Sequence, residues 1–176
     1  MQDKGQWLIS TAICRIRRRC VLRELFVVFV ALAIVLASSC QQAVDIEAEK
    51  NAVRDVLADY ITSVEKEDLE NYGKNMAHDP EMVNFGAFGE PIVGWAALEK
   101  VIDGQNEALS ETRIGASDVS IRIGPSGKLA WATSLWNFKA MMGDQQVEWP
   151  VRCSWILEKR EGRWVIIHFH KSIAAG

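Results

Sequence analysis

The chain has 176 residues, 49% hydrophobic and 24% charged, with a formal net charge of −3, and its length suits one ordinary domain. Six of its 20 Lys and Arg and two of its 23 Asp and Glu lie before residue 40, so the remainder carries about −7. That field excludes nucleic acid as an expected partner, because such binding relies on Lys and Arg neutralising phosphates, and the single cysteine beyond residue 40, Cys153, excludes an internal disulfide.

The first segment is basic, with Arg15, Arg17, Arg18, Arg19 and Arg23. Leu25–Ala37 is an unbroken apolar run of 13 residues, closed by Ser38, Ser39 and Cys40. A spanning helix needs about 20 apolar residues, so the pattern reads as a secretory signal over residues 1–39. Leu36-Ala37-Ser38-Ser39-Cys40 also resembles the bacterial lipobox, whose cysteine is diacylated and becomes the new N-terminus. The expectation is export to the bacterial cell envelope with a membrane anchor on Cys40; ordinary cleavage with Cys40 incidental is the alternative. Gln41 follows, not Asp, so the outer membrane, facing the periplasm, is expected rather than the inner.

Residues 40–46 form a tether, and a domain spans 47–174. Asp45–Val64 reads as an amphipathic helix, with Asp45 as N-cap and Ile46, Val53, Val56, Leu57, Tyr60, Ile61 and Val64 on one stripe. Asp68–Met76 suits a short second helix, ended by His78-Asp79-Pro80. Met82–Phe85 and Phe88–Val93 suit two short paired strands. Gly94 opens a third helix, Trp95–Leu109, with Trp95, Leu98, Val101, Ile102 and Leu109 inward. A first long strand, Arg113–Ile123, turns at Gly124–Gly127 into Leu129–Met141. Gly143-Asp144 leads to Val147–Lys159, and Glu161-Gly162 to Trp164–Ser172. Helices first and an antiparallel meander afterwards predict an α+β fold with the helices on one face of the sheet.

Alternation divides each strand into two sets. The more apolar set, placed under the helices, is Trp131, Thr133, Leu135 and Asn137, with Trp149, Val151, Cys153, Trp155 and Leu157, and Val165, Ile167, Phe169 and Lys171. The other set holds Trp136, Phe138, Arg152, Ser154, Ile156, Trp164, Ile166, His168 and His170. So many apolar residues on one outer face predict a partner, and an isologous homodimer is the commonest one. Trp136, Arg152, His168 and His170 are therefore expected at a dimer interface or on the polar sheet face.

The ending Trp164-Val-Ile-Ile-His168-Phe-His170-Lys-Ser172 resembles the SnoaL-like branch of the nuclear transport factor 2-like superfamily. It is also similar to the association (hub) domain of calcium/calmodulin-dependent kinase II, whose matching strand likewise runs Trp, hydrophobic residues, His-Phe-His, a basic residue and Ser. The resemblance implies a cystatin-like cone, with three N-terminal helices packed on a strongly curved antiparallel sheet, and usually a pocket. The hub pocket is lined by basic residues that attract a carboxylate. By this resemblance Lys171 keeps one of them, while Leu135 and Trp155 stand where two arginines would. Ketosteroid isomerase, another relative, uses a strand aspartate near the place of Asn84-Phe85, and an amide cannot take a proton.

Trp131, Trp149, Trp155 and Phe169 are expected to line an apolar cavity, with Tyr60 and Asn84 as polar contacts and Lys171 at the mouth. His168 and His170 could act as acid–base groups; the simpler expectation is hydrogen bonding to Arg152, Ser154 or Glu148 across the sheet. Arg152 is expected to pair with Glu148 or a partner-chain carboxylate, and Asp79 and Glu90 to be solvated loop acids. No catalytic residue, metal site or cofactor is assigned. The expected function is binding of a small, largely apolar or weakly anionic molecule. The alternatives are an isomerase, cyclase or hydrolase using the same cavity, and a hub-like dimeric assembly module without a ligand.

Overall fold

The computed structural model describes residues 44–173. Three helices, α1 (Ile46–Glu65), α2 (Leu69–Lys74) and α3 (Trp95–Ala108), precede a four-stranded sheet. The sheet is a plain antiparallel meander of β3 (Ser110–Ile123), β4 (Leu129–Met142), β5 (Gln145–Arg160) and β6 (Arg163–Ile173). Two short strands, β1 (Val83–Asn84) and β2 (Ile92–Val93), pair between α2 and α3.

Local chemistry accounts for the helix boundaries. Asp45 accepts from the Ala48 amide at 3.0 Å and Asp68 from the Asn71 amide at 2.9 Å, each satisfying one orphan donor of a first turn. Glu47 and Glu49 add negative charge at the positive end of α1. Val53, Leu57, Tyr60 and Val64 recur at helical spacing and are buried against the sheet. Gly94 caps α3 at φ 79°, and a Cβ there would stand 2.7 Å from the Pro80 carbonyl oxygen, so only glycine fits this entry.

Irregularities shape the sheet. Register shifts in β3 lie between Ser110 and Arg113 and between Ser117 and Ser120, with Glu111 and Asp118 at positive φ. Bulges of this kind bend a strand and increase its twist. Near the first, Glu65 Oε1 accepts from the Ile114 amide at 2.8 Å, which ties the end of α1 to β3. The free edge of β6 is covered. Ala77 donates to the Ile166 carbonyl, Ile166 to the Asn75 carbonyl, Phe85 to the Phe169 carbonyl and Lys171 to the Phe85 carbonyl.

The faces differ from the expected division in two places. In β4 the inward set is Ala130, Ala132, Ser134, Trp136, Phe138 and Ala140, and Trp131 and Leu135 point outward at 49% and 46% exposure. In this strand the inward set is itself the more apolar, and ladder partners share a face: Ala132 and Trp136 are paired with the buried Trp155 and Val151 of β5. In β6 a bulge at Ile167, opposite Ile156 and Leu157, flips the alternation. Trp164 and Ile166 therefore join the buried face beside Phe169, although they share sequence parity with His168 and His170. The division of β5 is as expected, with Val151, Cys153, Trp155 and Leu157 buried.

Candidate functional site

A cavity of about 310 Å³ lies between the sheet, α3 and the loop after β1. From the sheet it is lined by Trp136, Phe138, Met142, Trp149, Val151, Phe169 and Lys171. Leu98, Val101, Ile102 and Gln105 of α3 form the opposite wall. Gly86, Ala87 and Phe88 close one side, and Phe88 meets the Trp149 ring edge-on at a centroid distance of 5.3 Å. Phe138 stacks on the same indole at 5.6 Å and 14°. Apolar walls with few polar groups are the usual make-up of a small-molecule site.

Lys171 is the one titratable residue of the lining. Its ammonium stands 5.0 Å from the ring centroid of Phe169, 5.1 Å from that of Trp136 and 5.4 Å from that of Tyr60. The π faces hold the charge in place by attraction to the ring quadrupoles. Among the described residues it makes no ion pair. It is paired in the ladder with Cys153, whose thiol burial pushes up to about 12, the Lys171 charge pulling weakly the other way.

Behind this wall lies a buried aromatic layer. Tyr60 packs within 6.2–6.5 Å of the Trp136, Trp155 and Phe169 rings, and its hydroxyl is 3.4 Å from that of Tyr72. Burial holds both phenols above their ordinary range, so they stay protonated at neutral pH. Asn84, 0% exposed, accepts from the Phe169 amide at 2.9 Å and joins β1 to β6. Three buried atoms among the described residues have no hydrogen-bond partner: Asn84 Nδ2, Trp136 Nε1 and Trp155 Nε1. All three are donors.

Of the five residues expected at the pocket, Lys171 lines it; Tyr60, Asn84 and Trp155 lie in the layer behind; Trp131 is on the outer face. Trp136, expected on the sheet face, is 3% exposed and forms the cavity wall. Both corrections follow from the parity of β4. Leu135 is outward as well, so it does not occupy a pocket position. Phe138, expected on the outer face with Trp136, also lines the cavity, and Phe88, Met142 and Gln105 were not assigned to it from the sequence; the signal available was that Phe138 shares parity with Ala130, Ala132 and Ala140.

The histidines stand away from the cavity. His168 Nδ1 lies 2.6 Å from the Val83 carbonyl oxygen, and the Phe85 ring sits edge-on between His168 and His170 at 5.7 and 5.6 Å. Neither bonds Arg152, Ser154 or Glu148 as expected. Glu148 pairs instead with Lys139 at 3.3 Å, which leaves Arg152 on the outer face beside a broad depression shared with Thr133, Ser154 and His170. Asp79 is not simply solvated, because both its oxygens accept from Arg160, at 2.7 and 2.6 Å. No group of three His, Cys, Asp or Glu suited to a metal occurs among the described residues.

Helices laid on an antiparallel meander, with an aromatic cavity between them, define a cone-type α+β binding or enzymatic scaffold. The profile of the SnoaL-like domain matches residues 53–176, and the chain belongs to that family. Solved structures share the fold. A nuclear transport factor 2-like superfamily protein from Salmonella enterica serovar Typhimurium is 21% identical, with a TM-score of 0.68 over 74% of this chain and 94% of that one. A protein from Xanthomonas campestris, provisionally identified as a calcium/calmodulin-dependent protein kinase II association domain, is 15% identical, with a TM-score of 0.61 over 69% and 85%. A Caulobacter vibrioides protein with a cystatin-like fold is 18% identical, with a TM-score of 0.58 over 71% and 89%. No curated protein matches the chain.

Proposed function

We propose that the domain binds a small, largely apolar molecule in the cavity between α3 and the sheet, as an exported module carried on a lipid at Cys40. The observation that carries the reading is the cavity itself, walled by Trp136, Phe138, Trp149 and Phe169 and closed by Phe88. Its lining includes no Asp, Glu or His, which favours binding over acid–base turnover. Native mass spectrometry of the chain purified from its host tests this: a stoichiometric small-molecule adduct is expected, and a cavity that stays empty through a screen of apolar compounds would refute it. The same spectrum reports the anchor, since a diacylated Cys40 N-terminus differs in mass from a plain cleavage product. Residues 1–43 lie outside the described residues, so the anchor rests on the sequence pattern.

The outer sheet face supports a homodimer. Trp131, Leu135 and Ile156 are exposed on it, on the same face as Arg152 and His170. Large apolar side chains exposed among polar groups on one sheet face are typical of a protein contact.

A further inference from the structure

We infer that two copies of the domain meet about a two-fold axis running along β4 over Leu135, with Arg152 of each copy paired to Asp118 of the other. This rests on the outer sheet face being the dimer surface and adds how the second copy sits on it. Leu129, Trp131 and Leu135, all on β4, are 44%, 49% and 46% exposed on that face. An axis along β4 lays this stripe on its own copy and gives an apolar centre flanked by charge.

The charges select the same axis. Leu135 stands opposite Ser117 of β3 on one side and Arg152 of β5 on the other, and ladder partners share a face. Asp118 follows in the bulge between Ser117 and Ser120, at φ 52°, and such bulges re-aim a side chain. Its carboxylate accepts from the Ser117 hydroxyl at 3.2 Å, and it borders the same outer depression as Arg152. Two strand spacings, roughly 10 Å, separate β3 from β5. Neither Asp118 nor Arg152 makes an ion pair among the described residues. Half a turn about β4 exchanges the β3 and β5 sides of the sheet. It carries Leu135 onto Leu135, Asp118 over Arg152 and Arg152 over Asp118, so each charge meets its opposite. An axis across the strands at Leu135 would set Arg152 against Arg152. One at Thr133 and its partner Ser154 would set Arg152 against Ile156. A guanidinium taken out of water against either is costly, whereas a facing carboxylate offsets that cost.

The test is sedimentation equilibrium of the full chain in density-matched detergent, with the two charges exchanged. Arg152→Asp and Asp118→Arg, each alone, should raise the dimer dissociation constant about 30-fold or more, because each places two like-charge pairs in the contact. The chain carrying both changes should return to within about threefold of the parent. Asp118→Asn keeps a side chain that tolerates positive φ and should weaken the dimer about tenfold, so it serves if Asp118→Arg folds poorly. Single variants as tightly dimeric as the parent, or a double variant that stays dissociated, would overturn this axis and leave the dimer face standing. A parent that is monomeric throughout would end both.

Discussion

Asn84 offers a clear test of how the domain is held together. It is fully buried, its Oδ1 accepts from the Phe169 amide at 2.9 Å, and its Nδ2 has no partner. Replacement by Ala leaves the buried Phe169 N–H unsatisfied, a penalty of about 1–3 kcal/mol. It also removes the orphan Nδ2, which returns part of that cost. The expected net loss is about 1–2 kcal/mol. Asn84→Asp separates the terms. It keeps an acceptor for Phe169 but introduces a carboxyl into a dry site, where burial raises its folded pKa above the unfolded value of about 3.9. A raised acid pKa destabilises the fold above the unfolded value and ceases to do so below it. The Asn84→Asp deficit should therefore be largest at pH 7 and shrink as pH falls towards 4, while the Asn84→Ala deficit should hardly move. Urea unfolding followed by tryptophan fluorescence measures both. An Asn84→Ala protein within 0.5 kcal/mol of the parent, by about the scatter of ordinary surface changes, would refute the clamp between β1 and β6.

Glu49 accepts from Lys159 at 2.6 and 2.8 Å and from the Trp164 indole at 2.8 Å, and the Lys159 contact is the main cause of its lowered pKa. A lowered acid pKa stabilises the fold above the unfolded value, so the gap between the parent and Glu49→Gln should be constant at neutral pH and close as pH drops below about 4.3; a gap independent of pH would count against it. Cys153 is 5% exposed with its thiol pushed up to about 12, so peptide mapping after alkylation at pH 8 should find it unmodified in the native protein and modified in urea. Rapid native labelling would contradict that burial. Leu135→Glu should convert a dimer to a monomer in light scattering without lowering the melting temperature, because Leu135 is exposed in the single chain; a parent protein that is already monomeric would end the dimer reading. Trp136→Ala removes a buried indole from the cavity wall and should cost about 3–5 kcal/mol, read by denaturant melts.

Local signals carried most of the architecture. Asp45 and Asp68 mark helix starts by side-chain capping, and the glycines at 127, 143 and 162 mark the hairpin turns, because these depend on a few neighbouring atoms. The ending from Trp164 to Ser172 was enough to suggest the family, and Lys171 as the charge of the pocket was readable from that strand. Strand alternation gives two sets of side chains but not which set meets the helices. That choice was made by pairing: in the β4–β5 ladder Ala132 and Trp136 stand opposite the buried Trp155 and Val151, which turns Trp136 into the cavity and Trp131 out of it. The bulge at Ile167 is likewise a property of the β5–β6 pairing. By inserting one residue it places Trp164 and Ile166 in the core and keeps Lys171 facing the cavity, and no residue pattern within β6 alone distinguishes that arrangement from a regular strand.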